Sequence, residues 1–135
     1  METLAFRTKY AYSPSASGIE IEVGLRAGVN DPVRLLAKID TGASFCIFQR
    51  DYAERMGIDV ESGVPRWIGT PTGGFDAFGH AVTLSCFDWT FETIVYFAKP
   101  PEFNRNVLGR QGWLQRFRMA IVDHDSTLYL SEFND

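Results

Sequence analysis

Few side chains in this 135-residue sequence can carry covalent or proton-transfer chemistry, and their spacing sorts them. His80 and His124 are the only histidines, and Gly42-Ala43-Ser44-Phe45-Cys46 fails the Gly-x-Ser-x-Gly elbow of a serine nucleophile at its last position. Cys46, His80, Cys86 and His124 lack the paired close spacing of a zinc site. No Gly-x-x-x-x-Gly-Lys-Ser/Thr or Gly-x-Gly-x-x-Gly run offers a phosphate cradle. What remains is Asp40-Thr41-Gly42-Ala43-Ser44, set between the apolar runs Leu35–Ile39 and Phe45–Phe48. An aspartate that closes a strand ahead of a glycine is often only a turn whose carboxylate caps nearby amides. The alternative is a positioned carboxylate that works on water as acid or base.

The elements around that loop are strands. Ile19, Ile21, Val23 and Leu25 alternate with Glu20, Glu22, Gly24 and Arg26, which predicts a strand with one wet face. Val33, Leu35, Ala37 and Ile39 continue the pattern, and Gly28-Val29-Asn30-Asp31-Pro32 between the two runs is turn chemistry, so the pair reads as a hairpin leading into Asp40. Further strands are expected at Cys46–Phe48, Ala81–Phe87, Phe91–Phe97, Met119–Val122 and Thr127–Leu130, the last two flanking a turn at Asp123-His124-Asp125-Ser126. Two short helices are expected. One covers 51–56, stopped by Gly57; the other covers 110–117, where Trp113, Leu114 and Phe117 form an apolar stripe. The chain is therefore expected to be one mainly β domain over residues 1–135, with 45% hydrophobic residues supplying its core.

Charge and composition narrow the partners. Thirteen basic against seventeen acidic residues give a net charge of −4, which argues against nucleic-acid binding. Arg105, Arg110, Arg116 and Arg118 read as a solvated helix face neutralised by Glu102, Asp123 and Asp125. No run approaches the ~20 apolar residues of a membrane-spanning helix. Met1–Tyr12 has no apolar run of the secretory type, and Cys46 and Cys86 sit in strand-like apolar segments, so a cytoplasmic protein with buried, reduced thiols is the expectation.

Three blocks then fall in a recognisable order. Ile39-Asp40-Thr41-Gly42-Ala43-Ser44 comes first, Trp67-Ile68-Gly69-Thr70-Pro71-Thr72-Gly73-Gly74-Phe75 follows, and Val107-Leu108-Gly109-Arg110 closes the set. Over residues 39–118 the chain resembles a retropepsin, the single-domain aspartic protease that works as a homodimer. The resemblance implies a closed, mainly β acid-protease barrel with a flap hairpin, acting as an aspartic endopeptidase on extended peptides without a cofactor or metal. It implies Asp40, Thr41 and Gly42 as the catalytic loop, with Thr41 sending its hydroxyl to the partner's loop. Ala43, Ser44, Trp67, Ile68, Gly69, Gly73, Gly74 and Phe75 would meet substrate, with Phe78 helping to cover it. Leu108 and Gly109 would support the loop from behind, and the chain ends would interleave into a sheet between subunits. Thr70-Pro71-Thr72 departs from the glycine-rich tip of retroviral flaps and predicts a stiffer one.

The copy number matters. There is a single Asp-Thr-Gly; Asp125-Ser126-Thr127 lacks the glycine. A pair of carboxylates then requires two chains related by a twofold axis. Two other readings use the same residues: a retropepsin-fold module that dimerises or binds peptides without cutting them, and a β-barrel that binds a small molecule, with Asp40 only in a turn.

Overall fold

The alternation at Ile21, Val23 and Leu25 becomes a strand whose apolar positions are buried and whose Glu22 and Arg26 face water. The computed structural model describes residues 1–135 and is mainly β. Its strands are β1 (Thr8–Ala11), β2 (Glu20–Arg26), β3 (Val33–Ile39), β4 (Ile47–Phe48), β5 (Val64–Thr70), β6 (Gly73–Cys86), β7 (Trp89–Ala98), β8 (Val107–Leu108), β9 (Phe117–Val122) and β10 (Thr127–Glu132). The helix α1 (Arg50–Arg55) lies after β4 with Asp51 in its first turn, and the chain leaves it through Gly57 at φ +78°.

Seven strands form a sheet in the order β2-β3-β8-β4-β7-β6-β5, and an added pairing of β2 with β6 closes it into a ring, leaving β5 outside. The short β8 lies between β3 and β4, parallel to one and antiparallel to the other. Chain segments on either side of Asp40 are thereby held apart by a strand that arrives much later in the sequence. The core inside the ring contains Ile21, Leu25, Phe48, Leu84, Phe97, Leu108 and Trp113, all essentially inaccessible to water. Two hairpins meet their turn requirements differently. Phe87 takes φ +51° in the tight connection between Cys86 and Trp89, whereas Pro71-Thr72 turns β5 into β6.

The two chain ends form a second sheet, β1-β10-β9, with Thr8 paired to Leu130 and Ala11 to Thr127. The termini thus pair with each other within the protomer. Leu128 and Leu130 belong to the same buried core as the barrel, so β10 is anchored within the protomer.

The helix expected at 110–117 is also absent. Gly112 adopts φ +99°, only Leu114–Arg116 forms a 3-10 turn, and Phe117 already begins β9. A methyl group on Gly112 would come within 2.8 Å of the Ile94 carbonyl oxygen, so the backbone is pressed against β7 where a helix would need side chains. The four arginines accordingly share no helix face. Arg116 stacks on Phe91 and donates to the Glu92 carbonyl at 2.8 Å, while Arg118 donates to the carbonyls of Ala5 and Asp135. None pairs with Glu102, Asp123 or Asp125.

Candidate active site

Asp40 follows directly on β3, and its loop is positioned by backbone hydrogen bonds to β8 and the segment after it. The Asp40 N–H donates to the Leu108 carbonyl at 3.0 Å, Arg110 N–H to Ala43 at 2.8 Å, and Gln111 N–H to Ser44 at 2.9 Å. Within the loop, the Gly42 N–H donates to Asp40 Oδ1 at 2.9 Å, a bond that fixes the direction of the carboxylate. The loop closes on itself through Ala43 N–H to the Asp40 carbonyl at 3.2 Å. Asp40, Thr41 and Gly42 remain exposed in the protomer, while Leu108 and Gly109 are buried behind them.

Gly109 explains how the loop and its support come so close. A Cβ there would collide with the Phe45 carbonyl oxygen and lie 2.8 Å from that of Ala43. Only glycine leaves space for both strands of backbone.

In front of the loop stands the β5–β6 hairpin, paired from Val64↔Gly79 to Thr70↔Gly73. Its Gly74, at φ +155°, lies under the Trp67 indole, where a side chain would meet the ring at 2.7 Å. Hairpin and loop enclose a cavity of about 380 Å3. Of the residues singled out in the sequence, Asp40, Gly42, Ala43, Ser44, Trp67, Ile68, Gly69 and Phe75 line it. Thr41, Gly73 and Gly74 lie outside its wall, and Phe78 packs toward the main core instead.

Thr70 and Pro71 of the hairpin tip line it too, and beyond them sequence reasoning assigned no site role to five lining residues: Phe45, Ile47, Phe103, Arg105 and Val107. Phe45 and Ile47 were legible as the first alternate positions after the loop, since side chains two apart share a face. The other three come from the approach to β8, and only the β3-β8-β4 arrangement brings them here. A small apolar cluster backs the cavity, with Ile47, Ala77 and Tyr96 buried and Phe45, Ile68, Phe75 and Phe103 packed around them. Phe75 and Phe103 rings lie 4.7 Å apart. Arg66 of β5 places its guanidinium 4.4 Å from the Phe45 ring and donates to the Tyr96 hydroxyl at 3.1 Å, tying the hairpin's base to the barrel.

A family model described as aspartyl protease matches residues 25–111, which include the loop, the hairpin and β8. The chain belongs to the aspartyl protease family. As a member of that family it is an aspartic endopeptidase by class. Among solved structures it is similar to a retropepsin-like aspartic protease from Rickettsia conorii, with a TM-score of 0.65 and 20% identity over 92% of this chain and 97% of that one. It is also similar to EIAV protease complexed with the inhibitor HBY-793, with a TM-score of 0.54 and 20% identity over 71% of this chain and 85% of that one. At these identities the two structures speak for a retropepsin-like fold. No curated protein sequence matches. No helix is long and apolar enough to cross a membrane, and no group of three or more His, Cys, Asp or Glu side chains is placed to hold a metal ion.

Proposed function

We propose that two copies of this chain meet about a twofold axis and that their Asp40 carboxylates form the dyad of a peptide-hydrolysing centre. One observation carries the reading: Asp40 is exposed in the protomer on a loop anchored from behind by Leu108 and Gly109, at the wall of a cavity covered by the β5–β6 hairpin. A lone carboxylate cannot take a proton from water and supply one to the peptide carbonyl in the same step. Two carboxylates ~3 Å apart can, because they cannot both ionise and so hold one proton between them, as is established for aspartic proteases.

The steps then balance. The ionised carboxylate takes a proton from the attacking water, and the protonated one donates to the carbonyl oxygen. As the C–N bond of the tetrahedral species breaks, the carboxyl that took the water's proton gives it to the amine and a hydroxyl of the tetrahedral carbon returns its proton to the other carboxylate, so the dyad again holds one proton. Gly42 holds the carboxylate by its N–H, and Thr41, exposed beside it, would bond the partner's loop. Ala43 offers no side-chain donor, so the backbone amide carries that work alone. Ser44 and the hairpin edge at Gly69 would bond the substrate's main chain, leaving alternate side chains to the pocket of Phe45, Ile47, Ile68, Phe75, Phe103 and Val107.

Asp40→Asn tests this. The amide oxygen keeps a bond from Gly42 while the acid–base function goes, so the variant is expected to fold and dimerise but to cut a mixed peptide library at least about 100-fold more slowly. Cleavage at the parent rate would sink the proposal.

A further inference from the structure

Arg105 has a charge that nothing in the protomer answers. Arg50, Arg66, Arg116 and Arg118 each donate to a defined partner, but the Arg105 guanidinium has neither a hydrogen bond nor an ion pair. Its backbone is nevertheless fixed. The next residue, Asn106, accepts the Lys38 N–H on its carbonyl at 2.9 Å and the Gln49 N–H on its side-chain oxygen at 3.1 Å.

Arg105 also occupies a particular place. It lines the cavity beneath the hairpin and a second, smaller one of about 250 Å3, and Asp40 lines both. In the first cavity Arg105 is the sole cation and Asp40 the sole anion of an otherwise uncharged wall. In the second it is joined by Lys38, whose stem runs along Gly18 and whose ammonium donates to Ser17 at 3.1 Å, and by Glu20, which stands opposite Lys38 in the β2–β3 register yet forms no ion pair. A substrate bond placed at Asp40 therefore has Arg105 beside it whichever cavity the neighbouring side chain enters.

We propose that Arg105 is a specificity determinant, receiving a carboxylate side chain of the substrate next to the scissile bond, with Lys38 adding a second positive charge. The inference rests on the proposed protease reading. A planar guanidinium with five unused donors matches a carboxylate by two parallel hydrogen bonds, which suits Glu or Asp and rejects Lys. Twofold symmetry supplies the same group on both flanks of the bond. An acidic residue is then favoured on either side, and one on each side is favoured more.

The experiment uses a mixed synthetic peptide library to locate a cleaved bond, then paired peptides carrying Glu or Gln at each flanking position. The parent enzyme is expected to cut the Glu peptide with kcat/KM at least about fivefold higher, the advantage shrinking at ~1 M salt because the cation is exposed. Arg105→Ala should bring the Glu/Gln ratio near one, Arg105→Lys should keep part of it, and Arg105→Glu should turn the preference toward Lys peptides. Cleavage of the library without Glu/Gln discrimination overturns the assignment of Arg105 alone, as does an Arg105→Ala variant that keeps the ratio. Sedimentation showing that Arg105→Ala breaks the dimer, with both peptides slowed equally, makes Arg105 an intersubunit contact and also overturns it. A parent that cuts no member of the library overturns the protease reading beneath it.

Discussion

Gly109 has no room for a methyl group, and the consequence can be measured. Gly109→Ala drives a Cβ into the carbonyl oxygens of Phe45 and Ala43, so the Asp40 loop and the strand behind it must separate. Overpacking of this kind costs about 1–3 kcal/mol or more; urea unfolding should show a loss in that range, and cleavage should fall with it because the support of Asp40 moves. The two thiols give a prediction of a different kind. Burial pushes Cys46 up to about 12 and Cys86 up to about 11, and the Tyr12 hydroxyl, donating to Asp123, rises to about 12. Unfolded thiols titrate near ~8.5, so above that pH the unfolded chain releases protons that the folded chain retains. The stability held below about pH 8.5 is therefore lost progressively as pH rises to about 12, and a Cys46→Ala/Cys86→Ala variant should lose less over that interval in urea melts. In the native state neither thiol should react with iodoacetamide at about pH 8, since the thiolate is the nucleophile. Residues of this grain were unevenly legible in the sequence. Asp40-Thr41-Gly42 could be read because few side-chain patterns serve that chemistry, whereas Arg105 looked like one of four solvated arginines until β8 set it beside Asp40.

Strands announced themselves where one face meets water. β2 and β3 alternate over most of their length because the ring buries one side, the pattern breaking at the buried Gly24, and β7 was foreseen nearly whole. The stripe of Trp113, Leu114 and Phe117 had helical spacing for another reason: Trp113 and Phe117 reach the same core from either end of the Leu114–Arg116 3-10 turn, with Gly112 bending the chain just before it. β1 was invisible because its only partner, β10, lies over a hundred residues away. The hairpin of β5 and β6 was legible through its glycines and proline, though the length of β6 was not, since Gly73–Gly79 has little apolar alternation of its own. Its contribution can be separated from stability. Trp67 is 62% exposed and yet lines the cavity over Asp40. Trp67→Ala should shift unfolding by no more than about 0.5 kcal/mol, as for surface sites generally. It should lower kcat/KM for peptides by about tenfold, through lost cover over the substrate. A variant that melts early, or that cuts normally, would show that the hairpin does not serve as a lid.

At the level of the whole molecule, the decisive quantity is how activity depends on subunit pairing. The ring of strands, the terminal sheet and the cavity are complete in one protomer, but the proposed dyad is not. Each protomer brings one Asp40 on a loop exposed to solvent, and the pairing of β1 with β10 means that no exchanged terminal strand is required to finish the fold. Folding and activity should therefore separate: dilution should reduce specific activity as dimers dissociate while the far-ultraviolet circular dichroism of the barrel persists. Mixing makes the test sharper. When equal amounts of parent and Asp40→Asn chains are combined and allowed to exchange, random pairing leaves about one quarter of all dimers with two intact aspartates, so the parent's activity should fall to about half of its unmixed value at the same amount of parent chain. Two independent sites, one per chain, would leave that activity untouched. The half-loss can arise only if a single catalytic centre takes one carboxylate from each subunit, so the unchanged value is the result that would separate this chain's chemistry from its symmetry.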